Sequence, residues 1–513
     1  MSARYEVRRS DKLGRYLIAA KDLKAGEKIL SDEPFVLGPN SDTSLVCHNC
    51  YLPLISKFIV CKNCAVAPLC PGDGCPQPLA YNWHTNTECE FFRTLKLTKG
   101  LNPMIMVQNV GSLLIFRAML KKKTDPQAWE EFMELETHME KRKNTSIWQY
   151  YQNTVQFIES LDFFEGVDVN LVQKVCAAVD VNSFDVRGPQ IPAIGCSEIL
   201  RGVYLKASLL AHDCIGNTHM AINDNNLLVC HASINIKKGD VIYFNYSDPL
   251  KGTTLRQQHL LVGKYFKCTC LRCTDSTELG TYISSIICPE CKIGLVSMGE
   301  NGDWKCNNCK KDYAQSYIGK KIQSCSDKFD VINKKDEKEL EEYIRNVSLL
   351  LAPNHYLLLE AKQRLAGVLR DLINREPHPT KKVMRRKIQL CNELLPIIEK
   401  LVPGISRTKA ITMYELHATM VQLAKKKFDG REITGSGYMD ELLNAEVFLK
   451  RALEMLFIEP GNSPEGELCA KALEEYRALK ATINSVLDGI HAEGKTYVNA
   501  ADREEHSQAQ AVA

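Results

Sequence analysis

The chain has 513 residues, of which 45% are apolar and 25% are charged, and its formal net charge is +3. This length predicts three or four domains, and the composition is that of an ordinary globular protein. The small net charge does not predict direct binding to nucleic acid. Because no apolar stretch reaches the roughly 18 residues that span a bilayer, we expect no membrane segment.

The cysteine content is unusually high, at 21 residues. The first twelve residues are polar and charged, so no secretory signal is evident at the start. Several zinc sites in a reducing compartment explain the cysteines better than an oxidising compartment does. We therefore expect the nucleus or the cytoplasm, without a choice between them.

The first 46 residues have the pattern of short strands and turns. A β-like run covers 15–20, a turn covers 24–27, and a second strand covers 28–30. Eight cysteine and histidine residues then follow within about forty residues, in pairs of short spacing: Cys47, Cys50, Cys61, Cys64, Cys70, Cys75, His84 and Cys89. Structural zinc takes four such ligands, so the run predicts two zinc ions. Disulfides are the alternative that paired Cys-x2-Cys motifs disfavour in this context.

After the cysteine run, residues 90–180 have helical periodicity, and residues 181–247 return to short strands. Residues 248–275 end in Cys268, Cys270 and Cys273. A further quartet at 276–315 has the spacing of a zinc ribbon: Cys288, Cys291, Cys306 and Cys309. Residues 316–495 are helical in pattern and suggest paired helices in a TPR-like array, and the polar tail 496–513 is predicted to be disordered.

The order of these features resembles the SET and MYND domain-containing (SMYD) family of protein-lysine methyltransferases, and within it the SmydA-type branch. The segment from Ala211 to Asn217 is similar to the family signature Asn-His-Ser-Cys-x-Pro-Asn, and Tyr246 is similar to the active-site tyrosine. Gly14-Arg15 resembles the opening SET segment, and Phe184 lies in a segment that resembles the family's Asn-x-Phe.

The resemblance implies an α+β multidomain fold. In it a β-rich SET core is interrupted by a two-zinc MYND finger and a helical insertion, and is followed by a post-SET zinc site, a zinc ribbon and a C-terminal helical TPR-like array. The expected boundaries are 1–46 for the N-terminal part of SET, 47–89 for the MYND finger, 90–180 for the helical SET insertion, 181–247 for core SET, 248–275 for the post-SET region, 276–315 for the ribbon, 316–495 for the array and 496–513 for the tail.

The resemblance also implies how the ligands are shared among four zinc ions. One MYND ion takes Cys47, Cys50, Cys70 and Cys75, and the other takes Cys61, Cys64, His84 and Cys89. Cys214 joins Cys268, Cys270 and Cys273 at a third site, which fits the need of three cysteines for a fourth ligand. The ribbon quartet holds the fourth zinc.

The implied cofactor is S-adenosylmethionine. The residues that the resemblance assigns to it are Gly14, Arg15, Tyr16, Ala211, His212, Tyr246 and Phe266. Tyr246 and Phe184 are the implied catalytic residues, as walls of an apolar channel that favours the neutral lysine amine. The implied partners are a protein substrate with a target lysine, histone or non-histone, and proline-containing motifs at the MYND finger, with possible action in transcriptional regulation. A monomer is expected.

Several positions depart from the family pattern. Ala211 replaces the signature asparagine, Asp213 replaces the serine, and Gly216 replaces the proline. Tyr16 takes the place of a second glycine, and Lys264 takes that of an aromatic residue. A lost hydrogen bond to a charged ligand costs about 1.5–3 kcal/mol, which weakens binding roughly tenfold to a hundredfold. The alternative function is therefore a catalytically weak or inactive adaptor that binds partner proteins through its MYND finger and helical domain.

Overall fold

The structure is a computed structural model that describes residues 3–55, 57–72, 75, 82–163, 167–191, 195–299 and 302–510, with the backbone alone for 493–510. The strands are β1 Tyr5–Ser10, β2 Gly14–Ala19, β3 Lys28–Asp32, β4 Val36–Gly38, β5 Ile59–Val60, β6 Pro68–Leu69, β7 Ser183–Arg187, β8 Ile199–Val203, β9 Ala211–His212, β10 Thr218–Ile222, β11 Leu228–Ala232, β12 Tyr243–Phe244, β13 Ile286–Ile287, β14 Leu295–Met298, β15 Trp304–Cys306 and β16 Asp312–Tyr313.

The helices, interrupted by a 3-10 turn at Ala207–Leu209, are α1 Asn86–Lys99, α2 Pro103–Gln108, α3 Ser112–Thr124, α4 Pro126–Met133, α5 Met139–Arg142, α6 Ser146–Tyr150, α7 Gln152–Ser160, α8 Val169–Asn182, α9 Thr253–Lys264, α10 Leu271–Thr274, α11 Gln315–Val331, α12 Glu337–Val347, α13 Tyr356–Arg375, α14 Lys381–Leu401, α15 Arg407–Asp429, α16 Gly435–Leu456 and α17 Pro464–Gln510. Among the helices of the described part, a membrane-spanning candidate is not found.

The chain divides into two units, the first of which comprises 1–211, 218–243 and 259–267. Its sheets are small and antiparallel: β1 pairs with β2, β10 with β11 and β11 with β3, and β8 lies between β4 and β7. The short β5–β6 pair lies inside the cysteine-rich segment. The strands predicted at 15–20 and 28–30 correspond to β2 and β3, so the sequence pattern located them correctly.

In the first unit α4, α7 and α8 pack against α3, from which every residue between Ser112 and Leu120 is buried. Phe92 of α1, Phe132 of α4 and Val175 of α8 belong to the same apolar cluster. A helix that is buried on all sides belongs to the core of a large unit, and α3 is placed accordingly. The helical pattern predicted for 90–180 is confirmed by α1 to α8.

The second unit comprises 212–217, 244–258 and 268–513. It contains the four-stranded antiparallel sheet β13-β14-β15-β16, which packs on α11, α12 and α13 around Ile286, Trp304 and Leu358. Beyond them, α14, α15, α16 and α17 pack in sequence order, each on its neighbour in the chain. The helical C-terminal region is as the sequence predicts.

The last helix differs from the prediction for the tail. Its backbone continues to Gln510, whereas the sequence predicts disorder from residue 496. The composition explains the difference, because alanine, glutamate and glutamine are polar or small and yet strong helix formers. A polar pattern without an apolar stripe does not distinguish a solvated helix from a disordered chain.

Candidate metal centres and the tyrosine segment

Sixteen cysteine and histidine side chains converge in four groups of four. The groups are Cys47, Cys50, Cys70 and Cys75; Cys61, Cys64, His84 and Cys89; Cys214, Cys268, Cys270 and Cys273; and Cys288, Cys291, Cys306 and Cys309. The ligand atoms of each group lie within 4.8 Å of one another. The structure thus brings together the same four groups that the resemblance implies. We call the third group the Cys214 site.

The sulfur distances fit a shared metal ion and exclude disulfides. The Cys47 and Cys75 sulfurs lie 3.6 Å apart, and those of Cys291 and Cys306 lie 3.8 Å apart. Four thiolates at about 2.3 Å from a tetrahedral ion are separated by about 3.8 Å, whereas a disulfide requires about 2.05 Å. All of the cysteines are free. Three groups offer four thiolates and one offers three thiolates with an imidazole, and structural zinc prefers both of these donor sets.

His84 is fixed for metal binding by a carboxylate that the sequence analysis missed. Its Nδ1 lies 2.9 Å from Glu88 Oε1, and its Nε2 lies 3.6 Å from the Cys64 sulfur. Since Glu88 accepts the Nδ1 proton, Nε2 is left unprotonated and faces the thiolates, which is the usual arrangement of a metal-bound histidine. The i, i+4 spacing of His84 and Glu88 at the start of α1 was the available sequence signal.

Arg117 of α3 completes this network. Its Nε donates to Glu88 Oε2 at 2.6 Å and its NH2 to Glu88 Oε1 at 2.9 Å, while NH2 also donates to the His48 carbonyl at 2.7 Å. Arg117 and Glu88 are both buried. Burial by itself would raise the pKa of Glu88, but the charge of Arg117 outweighs it and lowers this pKa to about 2. Glu88 is therefore a charged acceptor for His84.

The Cys214 site is joined to the segment that carries Tyr246. The backbone N–H of Tyr246 donates to His212 Nδ1 at 3.0 Å, and His212 Nε2 lies 3.4 Å from the Cys214 sulfur. Because Nδ1 accepts, Nε2 carries the proton and donates to the sulfur. The Asn245 side-chain amide donates to the Cys214 carbonyl at 3.1 Å, and the Asp213 N–H donates to the Phe244 carbonyl at 3.3 Å.

Tyr246 is held by these bonds with its ring centroid 5.1 Å from that of His212. Its side chain is half-buried, and burial raises the pKa of its hydroxyl, so the phenol is neutral at physiological pH. The structure thus brings together His212 and Tyr246, two of the predicted site residues. The side chain of His212 contacts the tyrosine segment and the Cys214 sulfur, which gives it a structural role that its sequence motif did not reveal.

The remaining predicted site residues belong to the first unit. Gly14 begins β2 with a φ of +64°, a backbone conformation that favours glycine. Arg15 donates to Glu134 at 2.7 Å and is partly exposed. Tyr16 is the next residue of β2 and pairs with Arg8.

The two predicted aromatic residues of the first unit, Phe184 and Phe266, are both half-buried. Phe184 lies on β7 opposite Gly202, and its ring meets the edge of Tyr204 at 5.9 Å. Ala211 is 7% exposed and offers only a methyl group. Lys264, another departure, donates to the Val181 carbonyl, and burial lowers its pKa.

The Cys214 site has a further set of polar neighbours that the sequence analysis missed. Arg256 of α9 donates from Nε to the Cys214 sulfur at 3.3 Å and from NH2 to the Cys273 sulfur at 3.5 Å. Glu278 accepts from Arg256 NH1 at 2.8 Å and from Arg272 Nε at 3.2 Å. Both arginines and the glutamate are almost completely buried.

Comparison with known proteins finds relatives of one kind. The chain is 24% identical over 423 residues to the SET domain-containing protein SmydA-8 (isoform A) of Drosophila melanogaster, and this match covers 79% of this chain and 86% of that protein. It is 22% identical over 413 residues to the histone-lysine N-methyltransferase ASHR1 of Arabidopsis thaliana, covering 76% and 81%. A SET and MYND domain-containing protein of Dictyostelium discoideum is 25% identical over 316 residues, covering 52% and 59%. No family model matches the chain.

Proposed function

Because the chain belongs to the SET and MYND domain-containing (SMYD) family, we propose that it is an S-adenosylmethionine-dependent protein-lysine N-methyltransferase. The observation that carries this proposal is the fixed position of Tyr246, whose backbone is bonded to His212 and whose neighbour Asn245 is bonded to the Cys214 loop. The similarity to ASHR1, named a histone-lysine N-methyltransferase, supports the reaction class.

The four groups of ligands are proposed to bind structural zinc. Their sulfur spacing and their thiolate and imidazole donors fit zinc, and all four ligands of each group come from the protein. A catalytic zinc keeps one position for water or substrate, which sets of four protein ligands do not leave. The metal ions therefore organise the chain, and the reaction takes place elsewhere.

The chemistry requires a neutral lysine amine in line with a methyl donor. S-adenosylmethionine, when bound, supplies an electrophilic methyl group. Lysine has an ordinary pKa of about 10.4, so the protein must favour the loss of its proton. Half-buried aromatic residues do so by disfavouring the charged ammonium. The neutral Tyr246 hydroxyl is proposed to orient the amine, and Phe184 is proposed by resemblance to wall the lysine channel.

A partly or wholly inactive adaptor is the second candidate, and one observation favours it. Ala211 is buried and has no polar side chain at the position of the signature asparagine. In this alternative the MYND finger and the helical domain bind partner proteins, and the SET core is a scaffold. For either function, we propose protein partners, histone or non-histone, proline-containing motifs at the MYND finger, a role in transcription, and the nucleus or cytoplasm as location.

The test compares two tyrosine variants of the full-length chain. Tyr246→Phe removes the proposed orienting hydroxyl, and Tyr343→Phe removes another buried hydroxyl, which donates to the Cys325 carbonyl in the helical region. Calorimetry with S-adenosylmethionine and methyl transfer to histones and a lysine peptide library are measured for both. We expect Tyr246→Phe to lower kcat at least tenfold with similar cofactor affinity, as an interaction made mainly in the transition state would.

Tyr343→Phe should keep the wild-type rate. An undiminished rate in Tyr246→Phe would refute the role of this residue. If the wild-type chain binds no S-adenosylmethionine and transfers no methyl group, the adaptor function replaces the proposed enzyme.

A further inference from the structure

The guanidinium of Arg256 has a partner for each of its N–H groups. Nε donates to Cys214 and NH2 to Cys273, the second NH2 proton meets Thr253 Oγ1 at 2.9 Å, and NH1 reaches the Lys251 carbonyl at 2.6 Å and Glu278 at 2.8 Å. Five donors meeting five acceptors use the full capacity of an arginine. A residue held in this way at 1% exposure is fixed in one position.

Charge balance explains why buried arginines lie beside this metal site. Four thiolates around a divalent ion leave a net charge of about −2, and an unpaired buried charge is costly. Arg256 and Arg272 carry two positive charges, and Glu278 returns one negative charge. One positive charge therefore remains beside the thiolates, with its hydrogen bonds directed at two of them. Hydrogen bonds to ligand sulfurs from neighbouring groups hold ligands in position and tune the affinity for the metal.

The same guanidinium also holds the chain that follows Tyr246. The Lys251 carbonyl accepts from Arg256 NH1 and from Arg272 NH2 at 3.0 Å, and Arg272 NH1 donates to the Pro249 carbonyl at 2.7 Å. Hydrogen bonds from Arg256 and Arg272 thus fix residues 249–251. Tyr246 itself is fixed by His212, which donates to Cys214.

We propose that Arg256 is a positioning residue that secures the metal of the Cys214 site and couples this metal to the segment after Tyr246. The coupling rests on the proposed zinc binding and on the proposed role of Tyr246. As a positioning residue, Arg256 contacts neither substrate nor cofactor. Its hydrogen bonds to the two sulfurs, and not only its contacts with Glu278 and the backbone, retain the metal.

The chain provides a matched control for this statement. Arg272 is also buried, also pairs with Glu278 and also donates to the Lys251 carbonyl, but its hydrogen bonds are to oxygen acceptors. Arg256→Gln and Arg272→Gln each remove one buried positive charge from the same carboxylate. They differ in whether the hydrogen bonds to Cys214 and Cys273 are removed.

The experiment uses the full-length zinc-loaded protein and measures two quantities. The first is zinc release to an excess of chelator, in which the other three sites serve as internal references. The second is the alkylation rate of each cysteine, resolved by peptide mass spectrometry during the same chelator challenge. For Arg256→Gln we expect one zinc of the four to leave roughly 10–100-fold faster than in wild type. The cysteines of the Cys214 site should become alkylated at that faster rate, and those of the ribbon should not.

Arg272→Gln removes the same charge but no hydrogen bond to sulfur, so it should release its zinc several-fold more slowly than Arg256→Gln does. Equal acceleration in both variants, or no acceleration in Arg256→Gln, would overturn the proposal. If Arg256→Gln does not fold, Arg256→Lys takes its place, since it keeps the charge but loses the planar fork. It too should release one zinc faster, and a wild-type release rate would overturn the proposal.

Failure of the proposed function remains distinguishable from failure of this inference. A wild-type chain with zinc at three sites, whose Cys214-site cysteines are alkylated at once, would refute the zinc assignment itself. A wild-type chain with four zinc ions and no methyl transfer would refute the enzyme, while zinc release would still decide the role of Arg256. If the enzyme is active, Arg256→Gln should lower kcat by more than it changes the affinity for S-adenosylmethionine.

Discussion

Replacing Arg117 by methionine tests the buried network of Arg117, Glu88 and His84 in the first unit. The Glu88 carboxylate has two side-chain partners, Arg117 and His84. The change removes Arg117 and leaves the carboxylate buried with His84 alone. Removing one member of a buried ion pair costs about 3–5 kcal/mol, because the remaining charge is uncompensated. For a unit of this size we expect the melting temperature to fall by about 6–20 °C.

The assay should report on the first unit alone. Of the four tryptophans, Trp304 lies in the second unit, so a Trp304→Phe background confines intrinsic tryptophan fluorescence to the first. Arg93→Met, at an exposed position of α1, is the control and should change stability by less than about 0.5 kcal/mol. Glu88→Gln combined with Arg117→Met should cost less than the two single changes added together, because the isolated charge is gone. A cost for Arg117→Met below about 1 kcal/mol, or strict additivity, would refute the reasoning.

Three further predictions concern pH, packing and the cofactor. Burial lowers the pKa of His355 to about 3, so below its unfolded value of about 6.5 the unfolded chain binds a proton that the folded chain does not; its stabilising contribution is lost as pH falls from about 6.5 towards 3, by about 2 kcal/mol at pH 5. In thermal melts from pH 7 to pH 5, His355→Asn should show a smaller loss than wild type, and equal losses would contradict this. A Cβ added at Gly252 would lie 2.4 Å from the Ser284 hydroxyl, so Gly252→Ala should destabilise the second unit by about 1–3 kcal/mol in urea unfolding, whereas Gly319→Ala in the same unit, with no atom within 4 Å, should not. Ala211→Asn should raise the calorimetric affinity for S-adenosylmethionine roughly tenfold, and an unchanged affinity in a folded variant would place residue 211 away from the cofactor.

The metal ligands could be predicted from the sequence because their geometry is largely local. In a Cys-x2-Cys pair, one turn of chain brings two sulfurs to the same ion, as Cys288 and Cys291 illustrate in the ribbon, where the ligand atoms lie within 4.8 Å of one another. The resemblance implied which distant pairs share an ion, and the structure brings the same pairs together. Helices and strands of the described residues also follow from periodicity, since a buried face repeats along the chain.

The charged neighbours of the metal sites could not be predicted in this way. The apolar run around Arg117 indicates a buried arginine, but nothing local identifies its partner Glu88, which lies 29 positions away. Arg256 is likewise distant in sequence from its partner Cys214, at 42 positions. Such pairs depend on which helix faces come together, and that is a property of tertiary packing.

The two arginine networks have the same physical logic, and it links metal binding to folding. Arg117 secures a metal-binding histidine through Glu88, and Arg256 donates directly to metal-binding sulfurs. Both cations are buried where the metal site and its carboxylate supply compensating negative charge. When the metal leaves, thiolates become neutral thiols, which are weaker acceptors, and a buried cation loses part of its compensation. Metal loss therefore removes the coordination bonds and also part of the negative charge that compensates each buried arginine. The surrounding chain, including residues 249–251, should become more mobile together with the metal site.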